Sequence, residues 1–135
     1  MAKDVVQFPV TVAVQLLLEE LVGVSGTGVI TTWLAANHGA RAKFRVRVHH
    51  LRRIPRAEWN KKQFRYLGNG LAEIKWKHSD KEFRTVGFFR SGFFLMLLGC
   101  THKQGVYNPH DWLNTAKRRK GEVENGQWET IEHEP

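Results

Sequence analysis

The feature that most constrains the fold is a series of three consecutive strand-like segments. In the first, residues 71–78, apolar and charged side chains alternate, as in a strand with one buried face. The second, residues 83–90, follows a Ser-Asp-Lys turn, and the third, residues 93–100, follows Ser91-Gly92 and is almost wholly apolar. Because turns this short join antiparallel neighbours, the pattern predicts a three-stranded meander whose apolar third strand is covered on both faces.

Two helices are predicted before the meander. Apolar residues at helical spacing indicate a helix over residues 29–37, with Thr27 as its candidate N-cap. Residues 41–54 fit both strand and helix periodicity, but their length and the absence of a turn residue before Pro55 favour a helix. The two helices would form a hairpin around Gly39, and a connector would lead from the second helix to the meander.

The remaining elements are predicted near the two ends of the chain. Alternating valines predict a strand over residues 10–14, within an N-terminal strand-and-loop extension that covers residues 1–28. A third helix is predicted over residues 109–120, with Asn108 as its N-cap and Gly121 as its end. Together the elements predict an α+β fold, in which a small antiparallel meander packs against an N-terminal helical hairpin and a short C-terminal helix follows.

Charge is segregated along the chain. Residues 21–120 hold 20 lysines and arginines against five acidic residues, whereas residues 121–135 hold five glutamates and no basic residue. The second segment also lacks periodicity, so residues 1–120 are predicted to form a single domain and residues 121–135 a flexible acidic tail. A compact body with a net charge of +15 favours a polyanionic or acidic partner, and nucleic acid is the leading candidate.

Several classes of protein are disfavoured by the sequence. The apolar run at residues 12–18 is shorter than the roughly 20 residues of a membrane span, and no signal peptide is recognisable, so a cytoplasmic location without membrane contact is expected. The single cysteine, Cys100, ends an apolar run and is expected to be a buried thiol. No cofactor or metal site is expected, because His49 and His50 are adjacent and the other histidines lack the spacing of zinc ligands.

Four short motifs occur in an order that resembles the RelE/ParE toxin superfamily, in particular its HigB-like and phage-derived RelE-like branch. Residues 70–75, GLAEIK, are similar to a G-L-x-E-[IL]-[RK] strand, and residues 83–89, FRTVGFF, to a [YF]-R-x-x-[YF] strand. Residues 95–104, LMLLGCTHKQ, resemble a strand that ends in paired lysines, here His-Lys, and Pro109 precedes a basic final helix. The similarity covers about residues 29–120.

The resemblance implies the toxin component of a type II toxin–antitoxin system. Such a toxin would be a metal-independent messenger-RNA endonuclease, in some cases dependent on the ribosome, and its partners would be a cognate antitoxin protein, mRNA and the ribosome. Two other functions stay open. One is a non-enzymatic ParE-like toxin that acts through a protein interface, and the other is a basic nucleic-acid-binding module without catalysis.

Metal-free RNA cleavage requires a base for the 2′-hydroxyl, cations around the phosphate and an acid for the leaving oxygen. Five residues are the candidates for these roles: Lys75, Arg84, His102, Lys103 and Tyr107. Arg84 and Lys75 would hold the scissile phosphate, and Lys103 would add positive charge. His102 would be the general acid or base, because an imidazole gains and loses a proton near neutral pH. Tyr107 would stack on a base or donate a proton.

Each assignment has a structural alternative. Arg84 could pair with Glu73 across the strands, Tyr107 could pack against the third helix, and His102 could be an ordinary strand-end residue. Further basic residues on the second and third helices and on the first meander strand are predicted to contact the RNA backbone, or else to form a solvated face. These residues are Arg41, Arg45, Arg47, Arg52, Arg53, Lys77, Lys117, Arg118 and Arg119.

Overall fold

A computed structural model describes residues 16–135 of the chain and shows an α+β fold. The predicted strand at residues 10–14 lies outside the described residues. The helices are α1 (Val29–Ala35), α2 (His38–Arg52) and α3 (Trp112–Glu124), with a single 3-10 turn at Arg56–Glu58. The strands are β1 (Leu17–Leu21), β2 (Phe64–Gly68), β3 (Leu71–His78), β4 (Lys81–Arg90), β5 (Phe93–Lys103), β6 (Val106–Asn108) and β7 (Thr130–His133).

All the described strands belong to one sheet with the order β2-β3-β4-β5-β1-β7, and β6 pairs with the far end of β5. The β1–β5 pair is parallel and the other pairs are antiparallel. The predicted meander is therefore confirmed as β3, β4 and β5. Strand β5 lies inside the sheet, and its side chains contribute to both hydrophobic clusters, Phe94 and Met96 to one and Leu95 and Leu97 to the other, so it is covered on both faces as its apolar sequence predicts.

The two clusters show how helices cover the sheet. Helices α1 and α2 share one cluster with Ile74 and Trp76 of β3, whereas Ala116 and Val123 of α3 share the other with Leu97 of β5. The helical interpretation of residues 41–54 is confirmed, because Ala40, Phe44, Val48 and Leu51 form a fully buried stripe along α2. Burial of each such large side chain contributes roughly 1.5–3 kcal/mol, which outweighs the competing strand alternation.

Three details of the predicted helix ends are wrong. Thr27 does not cap α1; instead Glu20 of β1 accepts hydrogen bonds from the backbone N–H groups of Ile30 and Thr31, each at 2.8 Å. Helix α3 begins at Trp112, after Asp111 rather than after Asn108, which belongs to β6. It also continues through the predicted stop at Gly121 to Glu124, because Val123, two residues later, is buried in the same hydrophobic cluster as Ala116.

The prediction of a flexible acidic tail is also wrong. Residues 130–133 form β7, which pairs with β1, and His133 is buried against Glu20 with Nδ1 2.6 Å from Oε2. Trp128 packs on the α3 cluster and donates its indole N–H to Glu122 at 2.9 Å. Each of these contacts joins the C-terminal segment to another element of the fold. The charge and periodicity of residues 121–135 alone could therefore not reveal them. No helix in residues 16–135 is long and apolar enough to cross a membrane.

Candidate functional site

Strand register brings four of the five predicted catalytic residues together at one end of the sheet. Lys75 lies opposite Arg84 in the β3–β4 pair, and His102 lies opposite Tyr107 in the β5–β6 pair. Strand β4 links the two pairs, because Glu82 lies opposite His102 and two residues from Arg84. Cross-strand partners project from the same face, and here it is the face that α3 covers farther along the sheet.

Arg84 is a buried cation held between two carboxylates. Its Nη1 donates to Oε1 of Glu73 at 3.3 Å, its Nε donates to Oε1 of Glu82 at 3.0 Å, and its Nη2 also pairs with Glu82. Burial alone would lower the pKa of Arg84, but the hydrogen bond and charge of Glu82 and the charge of Glu73 raise it, so the guanidinium stays charged. The cross-strand pair of Arg84 with Glu73 is thus the observed arrangement.

Glu73 extends this arrangement to the edge of the sheet. Its fully buried carboxylate accepts a hydrogen bond from Nε of Arg65 on β2 at 3.0 Å, and Nη2 of Arg65 lies 2.8 Å from the same oxygen. Arg65, Glu73, Arg84 and Glu82 therefore form a row of alternating charges across three strands. A buried charge is tolerated when it is paired in this way, and the row fixes the guanidinium of Arg84 in one position.

Glu82 lies at the centre of the cluster, and the sequence analysis missed it. Besides Arg84, its carboxylate lies 3.8 Å from Nζ of Lys75 and 3.8 Å from Nδ1 of His102. Burial acts to raise the pKa of Glu82, but the hydrogen bond from Arg84 and the charges of Arg84, Lys75 and His102 lower it overall, so the group is a carboxylate. The two-residue turn at Ser79 places Glu82 opposite Lys77, a signal from which its position could have been deduced.

Aromatic stacking fixes the side of the cluster nearest α3. The rings of His102 and Tyr107 are stacked at 4.2 Å between centroids and 10° between planes, and Tyr107 is in turn 5.4 Å from Trp112 at the start of α3. The guanidinium carbon of Arg84 lies 5.2 Å from the centre of the Tyr107 ring. Tyr107 therefore packs against the third helix, as the structural alternative proposed, and this packing orients the imidazole of His102.

The cluster opens into a depression of about 630 Å³ at this end of the sheet. Glu82, Arg84 and His102 contribute to its lining, and Lys103, the fifth predicted catalytic residue, lies exposed on its rim. The other contributors come from α2, from the ends of β3 and β4 with the turn between them, and from the turn after β5: Lys43, Lys77, His78, Ser79, Asp80, Lys81 and Gln104. The depression thus combines two imidazoles, several cations and two carboxylates in one solvent-accessible place.

The predicted RNA-binding residues do not form one surface. Those on α2 and those on α3 lie over opposite faces of the sheet, because the two helices cover different clusters. Three of the arginines are used within the chain, since their Nε or Nη atoms donate to backbone oxygens: Arg47 to Lys75 at 2.8 Å, Arg52 to Leu16 at 3.0 Å and Arg119 to Leu97 at 2.7 Å. Arg118 pairs with Glu122, and the exposed remainder are Arg41, Arg45, Arg53, Lys77 and Lys117.

The fold and the cluster define a small, basic α+β protein with cations, a carboxylate and an imidazole gathered at one end of its sheet, and a family model matches the chain. This model, Phage derived protein Gp49-like (DUF891), covers residues 32–121, about two thirds of the chain. The chain therefore belongs to the Gp49-like family of phage-derived proteins, which is part of the RelE/HigB-like toxin superfamily. No curated protein and no solved structure matches the chain significantly.

Proposed function

We propose that this chain is the toxin of a type II toxin–antitoxin system and cleaves messenger RNA without a metal ion. The observation that carries the proposal is the convergence of Lys75, Arg84, His102 and Tyr107 around Glu82 at one end of the sheet. Membership of a toxin-like family supports the same class of function. We further place the chain in the HigB-like branch, with an antitoxin as its protein partner and mRNA, free or on the ribosome, as its substrate.

The reaction would use the ribose next to the scissile bond. The 2′-oxygen attacks the adjacent phosphorus, the bond from phosphorus to the 5′-oxygen breaks, and the products carry a 2′,3′-cyclic phosphate and a 5′-hydroxyl. His102 lines the depression and is the group best suited to donate a proton to the leaving 5′-oxygen or to accept one from the 2′-hydroxyl, and solvent water would serve as the partner for the other proton transfer. Lys75 would neutralise charge that develops on the phosphate oxygens.

The geometry gives Arg84 and Glu82 supporting roles. The guanidinium of Arg84 already donates hydrogen bonds to the carboxylates of Glu73 and Glu82. Bidentate binding of a phosphate by Arg84 would therefore first require the loss of those hydrogen bonds. Glu82 is a weak proton acceptor, because its pKa is lowered by the surrounding cations. We therefore assign both as positioning residues: Arg84 fixes Glu82, and Glu82 holds Lys75 and His102 near each other.

Induced expression in a bacterial host tests the proposal. The parent chain should arrest growth, and His102→Ala and Lys75→Ala should relieve the arrest. Lys61→Ala, which changes an exposed cation before β2 that does not line the depression, is the matched control and should arrest growth like the parent. Purified parent protein should also cleave RNA in EDTA, whereas His102→Ala should not. Arrest by every variant alike, with no RNA cleavage, would contradict the proposal and favour a toxin that acts through a protein interface.

A further inference from the structure

We propose that a second site, a phosphate-binding pocket between α2 and β3, holds the backbone of the RNA strand next to the catalytic cluster. The pocket has a volume of about 370 Å³, within the range of small-molecule sites. Its lining comes from α2, from the residue before β2 and from the end of β3: Lys43, Val46, Arg47, His50, Gln63, Trp76 and Lys77. The inference rests on the proposed function for the identity of the strand.

The pocket exists because β2 is shorter than β3. Pairing between these strands ends at Phe64 and Ile74, so the last residues of β3 form an edge within the described chain. The first of these residues, Lys75, has both of its backbone groups bonded. Its N–H donates to the backbone carbonyl oxygen of Gln63 at 2.8 Å, and its own backbone carbonyl oxygen accepts from Nε of Arg47 at 2.8 Å. Beyond Lys75 the edge is open toward α2, and there the pocket lies.

The lining favours an anion. It contains three cationic side chains, Lys43, Arg47 and Lys77, together with His50, and no carboxylate of the described residues belongs to it. Trp76, which also lines the pocket, is only 2 % exposed, and its Nε1 has no hydrogen-bond partner within residues 16–135. A concave surface with one sign of charge concentrates its field on a ligand of opposite sign, and a phosphodiester carries its charge on oxygens that accept several donors.

The pocket adjoins the depression at the catalytic cluster, and this position favours a phosphate of a nucleic-acid strand as its occupant. Lys43 and Lys77 line both this pocket and the depression that contains Glu82, Arg84 and His102, so the two cavities share a wall. A strand with one phosphate in the pocket would therefore enter the depression with its neighbouring nucleotides. A nucleic acid repeats its charge at every nucleotide and can satisfy both places at once, which favours it over an acidic protein segment as the occupant.

Binding of an uncleavable oligonucleotide tests the pocket separately from catalysis. The probe is a fluorescein-labelled decamer of 2′-O-methyl RNA, which lacks the nucleophilic hydroxyl, and binding is measured by anisotropy at several salt concentrations. Lys43→Ala should weaken binding about five- to tenfold and should reduce the slope of log K against log salt by about 0.7, the value for one lost contact to a single strand. The control Lys61→Ala removes an exposed charge before β2 that lines neither the pocket nor the depression. Equal affinity and slope for the two variants would overturn the inference.

Indole resonances of the parent protein, recorded with and without the decamer, provide a second readout. The side-chain N–H signal of Trp76, identified by its loss in Trp76→Phe, should move when the decamer is added. The signal of Trp128, whose N–H is bonded to Glu122, should stay in place. A Trp76 signal that does not move at saturation would overturn the inference. So would full displacement of the decamer by an equimolar decaglutamate peptide, which would favour an acidic protein segment as the occupant.

The two proposals can fail separately. In the His102→Ala background, Lys43→Ala should still weaken binding of the decamer by about five- to tenfold, because His102 does not line the pocket. Tight pocket-dependent binding by a parent protein that cleaves no RNA would contradict the proposed endonuclease and support the pocket. Cleavage that persists while Lys43→Ala binds like Lys61→Ala would support the endonuclease and contradict the pocket.

Discussion

Replacement of Glu20 by glutamine tests how firmly the C-terminal strand is held in the fold. Glu20 is buried, and one of its oxygens caps the two backbone N–H groups at the start of α1. The other oxygen lies 2.6 Å from Oγ1 of Thr31 and 2.6 Å from Nδ1 of His133 in β7. A Cβ on Gly28 would overlap this carboxylate, so the glycine is part of the same arrangement. Glu20 thus joins β1, α1 and β7.

The size of the effect follows from these contacts. Glu20→Gln keeps an oxygen for the helix cap but turns an amide group toward Thr31 and His133. A hydrogen bond to a charged acceptor contributes about 1.5–3 kcal/mol and one to a neutral acceptor about 0.5–1.5 kcal/mol, so the loss of charge at two bonds should cost about 2–3 kcal/mol. For a chain of this length the midpoint of thermal unfolding should fall by about 10 °C.

The effect should depend on pH with a defined sign. Burial acts to raise the pKa of Glu20, but hydrogen bonds from His133 and Thr31 lower it overall, below the ordinary value of 4.5. A carboxyl whose pKa is lower in the folded state stabilises the fold above the unfolded value and loses this contribution as pH falls through the folded value. The difference in unfolding free energy between the parent and Glu20→Gln should therefore be full at pH 7 and shrink below about pH 4.5.

Urea unfolding at pH 7 and at several acidic values, followed by far-UV circular dichroism, measures the difference directly. Glu132→Gln, an exposed neighbour in β7, is the matched control and should change the unfolding free energy by less than about 0.5 kcal/mol. Equal stability of Glu20→Gln and Glu132→Gln at pH 7 would refute the reasoning, because it would mean that the buried contacts between Glu20 and β7 do not form in solution.

Two further predictions concern the interior around Arg84. Glu73→Gln removes one partner of a buried ion pair, so the free energy of unfolding should fall by about 3 kcal/mol. The control Glu124→Gln, at an exposed helical pair, should change the free energy of unfolding by less than about 1 kcal/mol. A similar small change for both variants would contradict the burial of the Glu73–Arg84 pair. Burial raises the pKa of the Cys100 thiol to about 12. Iodoacetamide at pH 8 should therefore modify Cys100 only after addition of denaturant, because the thiolate is the reactive form. Rapid alkylation of the native protein would refute the burial of this thiol.

The parts of the fold that follow from local signals could be predicted from the sequence. The β3–β4–β5 meander depends on alternation and on short turns, and both are visible within short windows. The first turn is one residue shorter than predicted, because Lys81 pairs with His78 and belongs to β4. Helix α2 was predicted from the length of its segment and the absence of a turn residue before Pro55, and the structure buries Phe44 and Val48 on one helical stripe. In contrast, β7 has four residues with no clear periodicity, and it forms because β1 offers an edge more than 100 residues away in the sequence.

The same distinction applies to the candidate site. Turn length sets the register that places Lys75 opposite Arg84, so their proximity could be expected from the sequence. Glu82 was overlooked because the search favoured cations, although its position follows from the same register. The contacts of Arg47 and Arg119 with backbone oxygens could not be expected, because a long side chain can reach many carbonyl groups and only the tertiary structure selects one.

The chemistry of the product ends tests the central claim most directly. Purified protein is incubated with a defined RNA in EDTA, and the fragments are analysed by mass spectrometry beside those from His102→Ala. We predict fragments with a 2′,3′-cyclic phosphate and a 5′-hydroxyl from the parent, and a loss of at least about 100-fold in rate for His102→Ala, as expected for removal of a general acid or base. Fragments with a 5′-phosphate, or equal rates for the parent and His102→Ala, would contradict the account.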